Sequence, residues 1–319
     1  MIQILLPSEE NIKKAAIAIK KGGIVAFPTE TVYGLGASIY QKDAILKIFE
    51  LKQRPHFDPL IVHISSFNDL DEIVLRVPKK VYKLLEKFWP GPLTIVLKKR
   101  KNISDIITSG LDTVAVRMPK NEIALKLIKY STPIAAPSAN KFTRISPTRV
   151  SHILKQFESG IDYIIDGGKT DLGLESTIIK YEDGKFYLLR KGSLPVEEIE
   201  EIISEKLYKP NKKILSPGIF RKHYSPIPDV IIVDNPEDVD DDPSSAYIAF
   251  SKEPFGKKFK VVKVLSKTGD MYEAASNLFD YFHQLEDIGV SKIYIEKVEE
   301  KGLGLAIMDR IRKASGKGG

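Results

Sequence analysis

The sequence predicts an α/β protein: a twisted mixed sheet with helices on both faces, joined by a proline-rich linker to a smaller Rossmann-like α/β domain. Three observations carry this. Apolar runs of strand length alternate with helical segments over residues 1–207, the pattern of a sheet covered by helices. Periodicity stops over 208–228, where four prolines stiffen an extended stretch. A second, shorter alternation fills 229–319, a usual domain size.

Residues 8–21 read as a helix, with Ser8 as cap, Glu9 and Glu10 in the first turn and Gly22-Gly23 at the end. A strand follows at 24–28, is stopped by Pro28, and opens into a loop rich in hydroxyls with glycines at 34 and 36. Further helices are expected at 41–52, 79–88, 121–130, 147–158 and 196–207, and strands at 60–64, 93–97, 114–118, 134–136 and 163–165. Segments 176–181 and 186–190 flank Glu182-Asp183-Gly184-Lys185, a hairpin signal that gives the sheet an antiparallel edge. Beyond the linker, strands are expected near 229–234, 246–250, 259–264 and 292–297, with helices near 270–286 and 303–314. No Gly-x-Gly-x-x-Gly follows a strand there, so no dinucleotide site is inferred. The tail 313–319 is expected to fray.

Composition narrows the function. No run approaches the roughly 20 apolar residues that span a bilayer. The start lacks a basic segment and a small-residue cleavage site, so no signal peptide is read, and a cytoplasmic protein with no membrane partner is expected. The absence of cysteine excludes disulfides, thiolate zinc sites and a cysteine nucleophile. Five histidines lie scattered without ligand spacing, so no metal site built from protein side chains is expected. The net charge of +7 fits an anionic ligand or RNA, and equally fits a Lys- and Glu-rich surface.

Several constellations carry chemistry. Lys52-Gln-Arg54-Pro55 ends a helix; it reads either as cations set at a solvated helix C-terminus or as a phosphate clamp. Pro137-Ser138-Ala139-Asn140 follows a short strand and presents small polar side chains, and Ser146-Pro-Thr has the pattern of a helix cap, which is compatible with an anion site. Arg117 stands inside an apolar strand, facing either solvent or a polar cleft. His63 also lies in an apolar strand, as a core histidine or a functional one. A glycine-containing loop, 167–177, ends in Ser176-Thr177, to close on a ligand or simply to turn. No phosphate-binding Gly-x-x-x-x-Gly-Lys-[Ser/Thr] motif and no nucleophilic triad is readable. The inventory of cations, hydroxyls and backbone suits positioning and charge stabilisation on phosphate more than acid–base chemistry.

Taken in order, these pieces resemble the threonylcarbamoyl-AMP synthase family in its two-domain form. The resemblance is carried by Phe27-Pro-Thr-Glu-Thr-Val-Tyr-Gly-Leu-Gly-Ala37, Lys52-x-Arg54-Pro, Pro59-Leu-Ile-Val-His63, Trp89-Pro-Gly-Pro-Leu-Thr94, Val116-Arg-Met-Pro119, Ala136-Pro-Ser-Ala-Asn140, Glu175-Ser-Thr-Ile178 and Arg190-Lys-Gly192. The linker Ser216-Pro-Gly-Ile-Phe-Arg-Lys-His-Tyr-Ser-Pro226 and the segment Gly302-Leu-Gly-Leu-Ala-Ile-Met-Asp-Arg310 extend it over nearly the whole chain.

The resemblance implies a nucleotidyltransferase that converts L-threonine, bicarbonate and ATP to threonylcarbamoyl-AMP and pyrophosphate. The product then goes to a tRNA threonylcarbamoyltransferase that modifies the adenosine beside the anticodon. By the same resemblance Thr31, His63, Arg117, Ala136 (through its backbone) and Ser176 hold threonine. Arg54, Asp58, Thr113, Ser138, Asn140, Ser146, Arg190 and Tyr224 contact ATP, with Tyr224 covering the nucleotide from the linker. Lys52 and Arg54 offset charge on the phosphates, together with a Mg²⁺ that arrives with ATP. Asp58 departs from the pattern, because many members carry Asn there. The resemblance divides the chain into a catalytic domain (1–207), a linker or lid (208–228) and a C-terminal domain (229–319). The rival reading is an RNA-binding module without ATP chemistry.

Overall fold

The computed structural model describes residues 1–210 and 223–316. Most of the linker expected at 208–228 and the end of the expected frayed tail lie outside them. The chain packs into two compact units. The first comprises Met1–Phe142, Pro147–Thr170 and Glu175–Ile219; the second comprises Thr143–Ser146, Asp171–Leu174 and Phe220–Gly319.

In the first unit, β1 (Gln3–Leu5) leads to α1 (Glu9–Lys20), whose cap Ser8 accepts from Asn11 N at 3.2 Å. Strand β2 (Val25–Phe27) turns through the hydroxyl loop into β3 (Gly34–Ser38). This segment was expected to be loop, and it is a buried strand paired antiparallel with β2. Its glycines answer to packing: a Cβ on Gly36 would meet Ile134 Cγ2 at 2.4 Å and the Phe27 ring at 2.7 Å. Next come α2 (Lys42–Lys52), β4 (Ile61–His63), α3 (Phe67–Ile73) and α4 (Lys79–Phe88). The unexpected α3 is nucleated by a capping box between Ser66 and Asp69.

The unit continues with β5 (Leu93–Lys98), the short α5 (Asp105–Thr108), β6 (Thr113–Arg117), α6 (Glu122–Tyr130) and β7 (Ile134–Ala135). It closes with α7 (Val150–Leu154), β8 (Tyr163–Ile165), β9 (Thr177–Glu182), β10 (Lys185–Arg190) and α8 (Val196–Ile203). The hairpin expected at 182–185 is present, with Asp183 and Gly184 both at positive φ (49° and 81°), the turn that suits the twist of flanking strands. The helix expected at 147–158 shrinks to α7, so Ser146 does not cap it; Arg149 occupies that position.

The ten strands form one mixed sheet in the order β1-β8-β2-β3-β7-β4-β6-β5-β9-β10. Alternate side chains point to opposite faces. One face buries Ala26, Leu35, Val62, Ile95, Val116 and Ile179 beneath α2, α3, α4, α7 and α8. On the other face α1 and α6 cover Val25, Phe27, Ile134, Ala136 and Ile165. That second cover stops partway across the sheet. Beyond it Ile61, Val96, Ala115 and Ile178 form a small apolar patch of their own. By parity His63, Thr94, Arg117 and Ser176 project from the same face, just past this patch.

The second unit holds a parallel sheet in the order β11-β14-β12-β13, from β11 (Asp229–Val233), β12 (Asp242–Ala249), β13 (Phe259–Val264) and β14 (Lys292–Glu296). Two helices pack with it, α9 (Met271–Ile288) and α10 (Gly304–Ala314), along with a 3₁₀ turn at Pro236–Asp238. Lys313 and Ala314 belong to the last helical turn, so the expected fraying does not include them.

Candidate active site

The first cluster is built around Arg117. Its strand β6 lies beside β4, which puts Arg117 level with His63. Nη1 of Arg117 donates to Thr31 Oγ1 at 2.9 Å, Nη2 lies 2.8 Å from Glu30 Oε1, and Nε donates to Gly91 O at 3.3 Å. Glu30 also accepts from Lys120 N at 3.1 Å, which fixes both carboxylate oxygens. Thr29 Oγ1 lies 2.8 Å from Thr31 Oγ1 and donates to Val32 O at 2.7 Å, tying the loop after β2 to itself. The guanidinium is buried, so the solvent-facing reading of Arg117 is set aside. His63 packs edge-on to Phe27, and burial, helped by the neighbouring Arg117 charge, pushes its pKa down to about 3, so its ring is neutral.

Ser176 links this cluster to the next. Its Oγ lies 2.7 Å from Thr94 Oγ1 and accepts from Arg190 Nη2 at 3.1 Å, while Arg190 Nε donates to Ser176 O at 3.0 Å. Ser176 can be gripped so closely because Gly192 passes over it. A Cβ on Gly192 would stand 2.3 Å from Ser176 C and 2.4 Å from Thr177 N.

The second cluster gathers cations. Lys52 and Arg54 are both buried, so the solvated helix end is not where they sit. Gln53, in the left-handed conformation at φ 52°, ends α2 and turns the chain so that both residues point inward. Lys52 Nζ donates to Ser138 O at 2.6 Å and to Asn140 O, which ties it to the loop after β7. Burial first, and the Arg54 charge second, depress its pKa well below the ordinary lysine value. Arg54 Nη2 pairs with Asp58 Oδ2 at 2.9 Å and donates to Pro59 O at 3.0 Å, and its Nε donates to Asp58 O at 3.1 Å. Burial raises the Asp58 pKa against the opposing pull of Arg54, Lys52 and Arg190.

The structure thus brings together Thr31, His63, Arg117 and Ser176 on one side, and Lys52, Arg54, Asp58, Ser138, Asn140 and Arg190 on the other. Ala136, directly after β7, hydrogen-bonds through its N–H to Ile61 O at 2.9 Å. Thr113 shares the sheet face of Arg117 but lies four residues away along β6, about 13 Å. Ser146 and Tyr224 pack within the second unit. Ser146 O lies 3.2 Å from His283 Nε2. The Tyr224 ring stacks on Phe279 with centroids 5.4 Å apart and lies 4.9 Å from the Arg310 guanidinium carbon, at a φ of 58°. The roles of Glu30, Thr94 and Gly192 were not read from the sequence, although each lies inside a stretch that was singled out.

Among the described residues no group of three or more His, Asp and Glu side chains is arranged to hold a metal ion. Asp58, the acid of the cation cluster, is already paired with Arg54. No helix among the described residues is long and apolar enough to cross a membrane.

Residues 17–192 match the domain family described as "Telomere recombination", and residues 194–316 match the one described as "Threonylcarbamoyl-AMP synthase, C-terminal domain". The threonylcarbamoyl-AMP synthase of Pyrococcus abyssi is 46% identical over 323 residues, 97% of this chain and 95% of that protein. The one of Bacillus subtilis is 37% identical over 335 residues, covering 98% and 95%. Among solved structures, P. abyssi Sua5 complexed with L-threonine superposes with a TM-score of 0.89 at 42% identity, over 99% of this chain and 98% of that one. Identity of this degree over both domains leaves one conclusion: the chain belongs to the threonylcarbamoyl-AMP synthase family.

Proposed function

We propose that this chain is an L-threonylcarbamoyladenylate synthase, a nucleotidyltransferase that condenses L-threonine, bicarbonate and ATP to threonylcarbamoyl-AMP and pyrophosphate. The observation that carries this reading is the presence of two unlike groups of buried cations, linked by the Arg190–Ser176 hydrogen bonds. One contains a single guanidinium, paired on one side with Glu30, beside hydroxyls and a neutral imidazole, a set that suits a hydroxy amino acid carboxylate. The other contains Lys52, Arg54 and Arg190 around Asp58, nitrogen donors whose charge an incoming polyphosphate would stabilise.

The chemistry needs no protein nucleophile. The threonine amine takes up bicarbonate as a carbamate with loss of water. A carbamate oxygen attacks the α-phosphorus of ATP, the bond to the β-phosphate oxygen breaks, and pyrophosphate leaves. Arg117, held by Glu30 and Thr31, fixes the carboxylate and so the amine. Neutral His63 adds no second charge beside it and leaves that guanidinium for the substrate. Lys52, Arg54 and Arg190 oppose the negative charge that builds on the phosphates, where a well-placed donor is worth the most. Mg²⁺ enters as part of the nucleotide substrate. The adenylate passes to a tRNA threonylcarbamoyltransferase, and the reaction runs in the cytoplasm. Lys52, Arg54, Arg117 and Arg190 are buried rather than displayed on an exposed face, which weighs against reading them as an RNA-binding surface.

Pyrophosphate release, followed with ATP, Mg²⁺, bicarbonate and one amino acid at a time, tests the proposal. Release should require L-threonine and bicarbonate together, with AMP recovered in an acyl adduct. ADP and orthophosphate as the main products would sink it.

A further inference from the structure

The reading of the cation cluster as a triphosphate site leaves Asp58 unexplained, and the following rests on that reading. Asp58 is a buried carboxylate facing the groups that would bind phosphate. Arg54 pairs with it at 2.9 Å, and Lys52 and Arg190 lie near enough for their charges to act on it. A second acid would be a poor neighbour for a polyanion. Yet three buried cations without any anion would repel one another and would be costly to bury.

Positioning does not account for the carboxylate. Arg54 is already oriented by two backbone carbonyls, Asp58 O at 3.1 Å and Pro59 O at 3.0 Å. Lys52 is likewise held by the carbonyls of Ser138 and Asn140. What the carboxylate adds is charge. We propose that Asp58 is an internal counter-anion that stands in for a substrate phosphate, neutralises the Arg54 charge when no nucleotide is bound, and competes with ATP for it. The cost of displacing Asp58 is then part of every ATP binding event. The site gives up affinity in exchange for a cation cluster that stays neutralised between turnovers.

Calorimetric titration of the full-length protein tests this, with ATP, AMP and pyrophosphate as separate titrants against the wild type, Asp58→Asn and Asp58→Ser. Circular dichroism and the thermal midpoint show whether each variant is folded, and the serine variant serves if the asparagine does not fold. Like charges brought together at a buried contact are strongly unfavourable, so both variants should bind ATP and pyrophosphate about tenfold or more tighter than wild type. AMP should gain less, because it places less charge against the cluster. Equal or weaker ATP and pyrophosphate affinity in the variants overturns the counter-anion role while leaving the phosphate site intact. If no protein of the set binds ATP or pyrophosphate, the phosphate reading of the cluster falls and this proposal falls with it.

Discussion

Lys52 shows how much one side chain can do at once. Its ammonium answers two backbone carbonyls in the loop after β7 and stands at the phosphate end of the proposed site. Lys52→Met keeps the stem and removes the charge. Loss of a charged donor to a reacting phosphate typically costs about 2–4 kcal/mol, so turnover should fall by roughly 10²–10³. The thermal midpoint should fall as well, because the carbonyls of Ser138 and Asn140 lose their donor in a buried setting. A lysine in solvent, as the helix-end reading had it, would have spared stability. Near wild-type turnover in pyrophosphate release would remove Lys52 from the chemistry. The sequence placed Lys52 at the end of a helix, but it does not encode where that helix end points. The left-handed Gln53 and the loop 86 residues further on decide that.

Among the elements, the strands that read as apolar runs were legible, because burial on both faces leaves a continuous β-branched pattern. Strand β3 was not. Its Gly34-Leu-Gly-Ala-Ser38 has the composition of a turn, and only Phe27 and Ile134 pressing on it explain the glycines. The site residues of β4, β6 and β9 were legible as residue types. Their grouping was not, because it depends on the pairing order β4-β6-β5-β9, which brings segments far apart in sequence onto one face. The exit of β10 makes a sharper claim. Gly192→Ala would push a methyl into Ser176 and Thr177 backbone, and overpacking of this kind typically costs about 1–3 kcal/mol. The chain after β10 should shift, and Arg190 and Ser176 should lose register. A lower thermal midpoint together with a raised KM for threonine is expected; an unchanged KM would show that the close approach serves stability alone.

At the scale of the whole molecule, two buried histidines give the fold a dependence on acid. Burial drives both His63 and His152 down to a pKa of about 3, with neighbouring cations pulling the same way. In the unfolded chain each returns to the ordinary value near 6.5. Below that pH the unfolded state binds protons that the folded state refuses. Their contribution is therefore complete above about pH 7 and is lost as pH falls toward 3, at about 1.4 kcal/mol per pH unit for each histidine. Asp58, whose pKa burial raises, works in the opposite direction over the carboxylate range. Urea midpoints measured from pH 7 to pH 4 should fall steeply, and His152→Gln should shallow the slope. A slope unaltered by that substitution would mean that His152 titrates normally. The composition of the second unit has a different consequence. It includes Thr143–Ser146 and Asp171–Leu174, four-residue pieces from well before the C-terminal segment. A recombinant that swaps only the contiguous C-terminal stretch between relatives would import α9 and α10 without the short pieces that complete their unit, and a swap that moves all three stretches together should be the better folded of the two.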